Sequence, residues 1–432
     1  MEITESAIPG LLVVEIPLHA DNRGFFEENW QREKMVAAGL PDFGPVQHNI
    51  SYNFTAGATR GIHAEPWDKL VSVVAGRVFA AWVDLRDGDS FGTTFSIELA
   101  PGRAVFVPRG VGNSYQTLED DTTYSYLVNA HWSADAVYTN VNLLDETAAI
   151  EWPLPLREVS DKDKAHPRLQ DVTPFQPRRD VILGADGQLG RALRELLPEA
   201  IALTRADLDL TDPAAYDSVA WAQVGTIYNA AAYTAVDQAE TPEGRRTAWA
   251  VNVTAVANLA RIATEHRLTL INVSSDYVFD GTAESHPIDE AVSPLGVYGQ
   301  TKAAGEAVTS TVPRHYIVRT SWVIGDGGNF VSTMQRLARD GVSPTVVDDQ
   351  FGRLTQASEL AQGLVDLVTS KAPYGIHHIT GGGPVMTWAD IAREAFAGEG
   401  RDPSDITGVS TETYGEGKSM APRPRHSALE PR

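Results

Sequence analysis

Two hydrophobic rhythms divide the chain. In the first part short apolar runs recur: Leu11-Leu-Val-Val-Glu-Ile, Leu70-Val-Ser-Val-Val, Val78-Phe-Ala-Ala-Trp-Val, Thr94-Phe-Ser-Ile-Glu-Leu, Ala104-Val-Phe-Val and Tyr124-Ser-Tyr-Leu-Val. Breakers such as Ala75-Gly-Arg and Arg86-Asp-Gly-Asp separate them, the pattern of an all-β sandwich or barrel. From Asp180 the rhythm changes. Val181-Ile-Leu, Thr226-Ile-Tyr-Asn, Leu270-Ile-Asn-Val and Tyr316-Ile-Val alternate with Ala-rich stretches at 247–265 and 299–309, which predicts a parallel sheet with crossover helices. Residues 164–179 carry Pro167, Pro174 and Pro177 among charges and read as linker sequence. The expected organisation is an all-β domain over 1–170, a linker over 171–178 and an α/β domain over 179–432.

Composition fits this division. A chain of 432 residues is long for one domain, and 43% hydrophobic residues supply ample core. No apolar run reaches transmembrane length, and Met-Glu-Ile-Thr-Glu at the start lacks a signal-peptide layout, so a cytoplasmic location is expected. The absence of cysteine excludes disulfides, thiolate metal sites and cysteine nucleophiles. A net charge of −22 opposes binding to nucleic acid or anionic membranes. Any anionic ligand must meet a local cluster of Arg, Lys or backbone amides.

The first chemistry to emerge is hydride transfer. Gly184-Ala-Asp-Gly-Gln-Leu-Gly190 follows the strand-like Asp180-Val-Ile-Leu, giving glycines for a tight turn, for close approach of backbone to pyrophosphate and for helix packing. About a hundred residues on, Tyr298-Gly-Gln-Thr-Lys302 places a phenol and an ammonium on one helical face, where the ammonium can lower the phenol pKa towards neutrality. Ser275, after the strand at 270–273, stands where parallel sheets bind ligands and can bond a substrate carbonyl. Asn229-Ala-Ala-Ala-Tyr-Thr-Ala-Val-Asp supplies small residues beside a cofactor.

These motifs, with Ser274-Ser-Asp-Tyr-Val-Phe, Arg319-Thr-Ser-Trp-Val and Asp349-Gln-Phe-Gly, resemble the extended short-chain dehydrogenase/reductase family, and within it the dTDP-4-dehydrorhamnose reductases, from about Arg179 to Leu429. The resemblance implies a doubly wound Rossmann-type sheet with Ser275, Tyr298 and Lys302 as catalytic residues. It implies cofactor contacts from Gly184, Asp186, Gly187, Gln188, Leu189, Gly190, Asn229, Ala230 and Ala231, with Tyr298 and Lys302 touching the cofactor too. Tyr233 and Trp322 would line the substrate site. Arg205, past the second strand, is placed to meet a 2′-phosphate, which favours NADPH with NADH as the alternative. Ser275 replaces the family's common Thr, and Ala192 replaces a Glu that helps bind magnesium at a dimer interface in some members. The chain also stops soon after Leu429, short of the terminal segment the family leads one to expect.

The first half carries its own series: Arg23-Gly-Phe-Phe-Glu, Gln47-His-Asn-Ile-Ser51, Arg60-Gly-Ile-His63, Lys69-Leu-Val, Val83-Asp-Leu-Arg86, Val107-Pro-Arg-Gly110 and Val159-Ser-Asp-Lys-Asp163. Together they resemble the dTDP-4-dehydrorhamnose 3,5-epimerases, cupin-like jelly rolls, over nearly all of 1–170. Inverting a carbon beside a ketone requires a base and an acid on opposite faces of the ring. The resemblance implies His63 as base, Asp163 as its orienting carboxylate, Lys69 stabilising the enolate and Tyr126 as acid. Arg23, Glu28, Gln47 and Arg60 would grip the nucleotide, with Trp132 as a platform for the base. Three positions depart from the family: Asn113 for His, Ala80 for Asp and His131 for Tyr.

Two consecutive enzymes on one chain are thus expected, a bifunctional isomerase and oxidoreductase that turns dTDP-4-dehydro-6-deoxy-D-glucose into dTDP-L-rhamnose. The alternatives are a deoxysugar enzyme that inverts a single centre and a nicotinamide-binding regulator without turnover. The expected partner is a dTDP-sugar, with self-association through the first half as the expected assembly. No metal site is singled out.

Overall fold

The computed structural model describes residues 1–133 and 136–430 and separates into two compact units, Met1–Pro177 and Arg178–Arg432.

The first unit is two antiparallel sheets. One orders its six strands as Glu2–Glu5, Leu12–Glu15, Arg103–Val107, Lys69–Ala75, Thr122–Val128 and Gln47–Asn53; the other orders five as Thr139–Asn140, Thr59–Ala64, Val111–Thr117, Val78–Asp84 and Thr94–Leu99. Val13, Val71, Val73, Val105 and Tyr124 of the first meet Val78, Ala80, Trp82, Leu99 and Tyr115 of the second in one core. The run Leu70-Val-Ser-Val73, buried throughout and apolar but for Ser72, has a simple cause. Val71 and Val73 face that core, while Leu70 joins Val14, Phe43 and Phe106 in a second core against the helix Arg32–Ala37. A strand covered on both faces has no polar side to alternate with.

The expected linker is a different matter. Ser160 caps a short helix, Asp161–Lys164, Leu169 is buried in a third core, and Phe175 bridges Arg86 and lies under the Arg109 guanidinium. A Cβ at Gly110 would sit 2.5 Å from the Phe175 ring. The prolines end elements here, but the segment through Phe175 is packed onto the first unit and is not a free tether.

The second unit is built on a six-stranded parallel sheet ordered Ile201–Leu203, Arg179–Leu183, Val224–Asn229, Thr269–Val273, His315–Arg319 and Gly375–His378. Val181 and Leu183 point into one core with the helix Ala255–His266, and Ile182 into the opposite core with Leu189, Leu193 and Leu360, so each short apolar strand is buried on both sides. Sequential strands lie on opposite sides of Arg179–Leu183, and this reversal opens a crevice at the carboxyl ends. The stretch expected to be helical over 247–265 is interrupted by a π-turn at Ala250–Thr254. There Asn252 leaves the helix surface to clamp both the N–H and the C=O of Tyr233 and the Thr301 hydroxyl, a use of π-turns seen at functional sites. A smaller lobe packs the helices Phe330–Arg339 and Trp388–Gly398 around Met334, Ala392 and Phe396.

Candidate active sites

In the first unit His63 lies on Thr59–Ala64. Its partner strand reads Tyr115 opposite Arg60 but Asn113 opposite His63, so four residues on one strand face three on the other. This bulge turns Arg60 and His63 towards the same face, which simple alternation forbids. Gly61 makes it possible: its φ is +127°, and a Cβ there would lie 2.3 Å from that of Ser114. His63 Nε2 is 2.8 Å from Asp163 Oδ1, and Gly61 N–H donates to the other carboxylate oxygen. Burial pushes the Asp163 carboxyl up, but the His63 hydrogen bond and charge outweigh it and hold it below its ordinary value.

Lys69 is buried and ion-paired to Glu65, and its ammonium is 5.8 Å from the centre of the Tyr126 ring. Burial pulls Lys69 down to about 7, while the pairing with Glu65 favours the charged form. Tyr126 is raised chiefly by burial and secondarily by Tyr115, against the Arg60 charge. Arg60 in turn bonds Asn53, which with Ser51 holds the Tyr115 hydroxyl. Gln47 accepts from the backbone of Trp132, whose indole is 64% exposed and therefore is no part of a core. Arg23 and Glu28 pair instead with Asp21 and Lys34 on the surface, apart from this cluster. Asn113 accepts from Trp82 and Tyr124, so its amide satisfies two buried donors. Ala80 fills the core.

In the second unit the turn after Arg179–Leu183 is a cradle that side chains would fill. Gly184 has φ +72°, and a Cβ there would lie 2.8 Å from Ala231 Cα; one at Gly190 would lie 2.1 Å from the Gly184 carbonyl. Gly187 meets nothing closer than 3.3 Å and leaves room above the first turn of the helix Gln188–Leu196. The Leu189 side chain is buried among Ile182 and Leu193, so only its backbone can face a ligand. Asp186 is exposed, its carbonyl taken by Arg191. The buried side-chain oxygens of Gln188 and Asn229 are each without a partner among the described residues, and Ala230 N–H bonds back to Leu183. The Arg205 side chain is 77% exposed and lies 3.8 Å from Asp209.

Ser275, Tyr298 and Lys302 come together at the carboxyl end of the sheet. Ser275 donates to Asp276 at 2.7 Å, and Lys302 donates to the Val273 carbonyl at 2.6 Å. Burial lowers Lys302 to about 8, opposed by Glu306. The expected lowering of Tyr298 is not found. Burial raises its phenol to about 12, with Ser275 pulling down and Asp276 pushing up, because the Lys302 ammonium is directed at a backbone carbonyl. Asp276, fully buried, is raised to about 6 by burial despite bonds from Ser275 and Ser427. Tyr233 and Tyr298 both pack on the small core of Ala239, Ala248 and Val297, and the Tyr298 ring meets that of Tyr277 edge-on at 5.6 Å. Trp322 takes a left-handed φ of +43° and stacks on Trp388 with ring centres 3.8 Å apart.

Sequence reasoning passed over four residues that these sites use. Glu65 signalled itself only as a carboxylate four residues before a lysine, Asp276 as the acid next to Ser275, and Asn252 as a polar residue inside an Ala-rich helix. His166 gave no signal at all, yet its ring lies 5.4 Å from that of His63 and its Nε2 lies 4.0 Å from Asp163. Burial and the His63 charge hold His166 below its ordinary pKa, against Asp163 and the Val141 backbone.

Comparison with known proteins follows the same division. Residues 5–171 match the dTDP-4-dehydrorhamnose 3,5-epimerase family and residues 178–432 the RmlD substrate binding domain family. Over 179 residues the chain is 46% identical to the RmlC homolog of Streptococcus pyogenes serotype M6, covering 40% of this chain and 90% of that protein. Over 268 residues it is 38% identical to the dTDP-4-dehydrorhamnose reductase of Aggregatibacter actinomycetemcomitans, covering 58% and 90%. A crystal structure of dTDP-4-dehydrorhamnose reductase from Bacillus anthracis in complex with NADP is similar with a TM-score of 0.55 and 32% identity, over 59% of this chain and 91% of that one. The chain therefore belongs to the dTDP-4-dehydrorhamnose 3,5-epimerase family through its first unit and to the RmlD reductase family through its second.

Proposed function

We propose that this chain makes dTDP-L-rhamnose from dTDP-4-dehydro-6-deoxy-D-glucose, the first unit inverting the carbons on either side of the ketone and the second reducing it. The observation that carries this is the pairing of two complete proton-transfer sets, His63 with Asp163 at 2.8 Å and Ser275 with Tyr298 and Lys302 at the sheet's carboxyl end. Both relatives are matched over about nine-tenths of their own length. On this reading the two facing sheets are a cupin-like jelly roll and the parallel sheet is a Rossmann-type fold.

In the first unit, Nε2–H of His63 bonds Asp163, which leaves the Nδ1 lone pair to take the proton beside the ketone. Asp163 steadies the imidazolium that results. Lys69 holds the enolate oxygen by charge, and Tyr126 returns a proton to the other face. Arg60, Gln47 and Trp132 hold the nucleotide, joined by Arg23 and Glu28 when their surface partners give way. An exposed edge strand, Gln47–Asn53, with bare Ile50, Tyr52 and nearby Phe54, supports pairing with a second copy through this unit, since such edges are normally covered.

In the second unit the Gly184–Gly190 cradle, the unpartnered Asn229 oxygen and the open Arg205 guanidinium fit NADPH, which supplies the hydride when bound. Gly184, Gly187, Gly190 and the amides of Asp186, Gln188 and Leu189 would take the pyrophosphate, Ala230 and Ala231 the adjoining ribose, and Arg205 the 2′-phosphate. Ser275 orients the sugar ketone, Tyr298 delivers the proton to its oxygen and Lys302 stabilises the phenolate left behind. Tyr233 and Trp322 shape the sugar pocket.

The test is to incubate the protein with dTDP-4-dehydro-6-deoxy-D-glucose and NADPH and identify the sugar by NMR. In deuterium oxide without reductant, deuterium should enter at C3 and C5, and His63→Ala should lose both exchanges yet still reduce a pre-epimerised sugar. Exchange at one carbon favours a single-centre epimerase, a reading that Asn113 motivates because it stands opposite His63 with its amide committed elsewhere. No exchange and no NADPH oxidation would refute the function.

A further inference from the structure

We propose that His63, Asp163 and His166 form a site for a borderline divalent cation such as zinc, and that filling it disables the base of the first unit. The three come from different local elements, a strand, a one-turn helix and the turn that follows it, and their ligand atoms lie within 4.8 Å of one another. His63 Nε2 is 2.8 Å and His166 Nε2 4.0 Å from the same Asp163 oxygen. Tetrahedral zinc with bonds of about 2.0–2.1 Å spaces its ligands roughly 3.4 Å apart. The observed separations bracket that spacing, so small side-chain rotations close the site.

His166 is the telling member. Its side chain is only 7% exposed, and among the described residues neither ring nitrogen makes a well-formed hydrogen bond, the Val141 backbone lying close by. A buried imidazole so poorly partnered is costly, and a metal bond would satisfy it. Two imidazoles and one carboxylate select zinc or cobalt over magnesium or calcium, which take all-oxygen shells. The His63 side chain is 36% exposed, which leaves a fourth position open to water.

The consequence rests on the reading of His63 as base. With Nε2–H bonded to Asp163, Nδ1 carries the lone pair. A cation on Nε2 displaces that proton to Nδ1, so the ring stays neutral and the reactive lone pair is lost. No proton is gained or released overall, and the first unit's epimerase step is switched off without unfolding.

Two measurements on the full chain separate the site from its consequence. Titration with cobalt(II) should give the intense visible absorption of four-coordinate cobalt at one ion per chain. His166→Gln should weaken that binding at least about tenfold, while His166→Cys should restore it and add a thiolate-to-cobalt charge-transfer band. Zinc should slow deuterium exchange into the sugar in wild type, reversibly by chelator, while His166→Gln keeps the same rate with and without that zinc. Reduction of a pre-epimerised sugar should be unaffected at the same zinc concentration. Equal cobalt binding by wild type and His166→Gln, or equal zinc inhibition of both, overturns the proposal. If wild type exchanges no deuterium even without metal, the epimerase reading fails, and the cobalt spectra still decide the site.

Discussion

Replacing Asp276 by asparagine tests how burial governs the reductase site. The carboxyl is 2% exposed, bonded by the Ser275 hydroxyl at 2.7 Å and raised to about 6 by burial. Against an unfolded value near 3.9, that is a shift of about two units, or about 3 kcal/mol. The sign follows from proton counts. Between pH 4 and 6 the folded state holds more protons, so this group's contribution falls as pH rises and levels off above about 7. Roughly half the loss has occurred by pH 5, which leaves about 1.3 kcal/mol between pH 5 and 7.5. The amide introduced by Asp276→Asn does not titrate, and any cost of its hydrogens is independent of pH. Urea unfolding of both proteins should therefore show the variant gaining about 1.3 kcal/mol on wild type over that interval. NADPH oxidation should also lose an inflection near pH 6, because ionised Asp276 holds the Ser275 proton that the ketone needs. Parallel stability and rate profiles for the two proteins would show that Asp276 does not titrate where its burial places it.

Tyr298→Phe should lower NADPH oxidation by roughly two to four orders of magnitude with cofactor affinity unchanged in fluorescence titration, because the ring still packs on Tyr277 and the Val297 core; near-normal turnover would remove Tyr298 as the acid. Gly190→Ala should abolish NADPH binding or folding of the second unit, since its Cβ would meet backbone atoms at 2.1 and 2.7 Å; a variant that binds NADPH normally in the same titration would contradict the cradle geometry.

The strands of both units were readable because burial on one or both faces leaves a clear apolar pattern, as at 70–73 and 181–183. The glycines at 184, 187 and 190 and the Tyr298–Lys302 spacing were readable because local geometry alone demands them. What escaped depends on contacts across the chain. The bulge at Gly61 is a register event between strands, and no alternation at 59–64 announces that Arg60 and His63 share a face. The segment after Asp163 looks like a tether by composition, yet Leu169 and Phe175 find pockets far away in sequence. His166 sits three residues after an identified carboxylate, but only folding brings it beside His63. The direction of the Tyr298 shift was misjudged for a related reason: spacing puts Lys302 one turn away, whereas the Val273 carbonyl decides where its ammonium points.

On the proposed reading both units act on one ketone and each draws on a buried lysine, Lys69 for the enolate oxygen and Lys302, which rests on the Val273 carbonyl, for the phenolate once Tyr298 has given up its proton. Burial sets Lys69 at about 7 and Lys302 at about 8. In those roles each must be the ammonium, so each step should weaken as pH rises past its lysine's value, with the epimerase failing first. With dTDP-4-dehydro-6-deoxy-D-glucose as substrate, NADPH oxidation should decline above about pH 7. A pre-epimerised sugar bypasses Lys69, so its decline should begin about one unit higher. Glu65 supplies the control, since it pairs with Lys69 and favours its charged form. Glu65→Gln should move the first decline to lower pH and leave the second in place. If both substrates give the same alkaline limb and Glu65→Gln leaves it in place, Lys69 does not lose its proton near pH 7 and the argument from its burial fails.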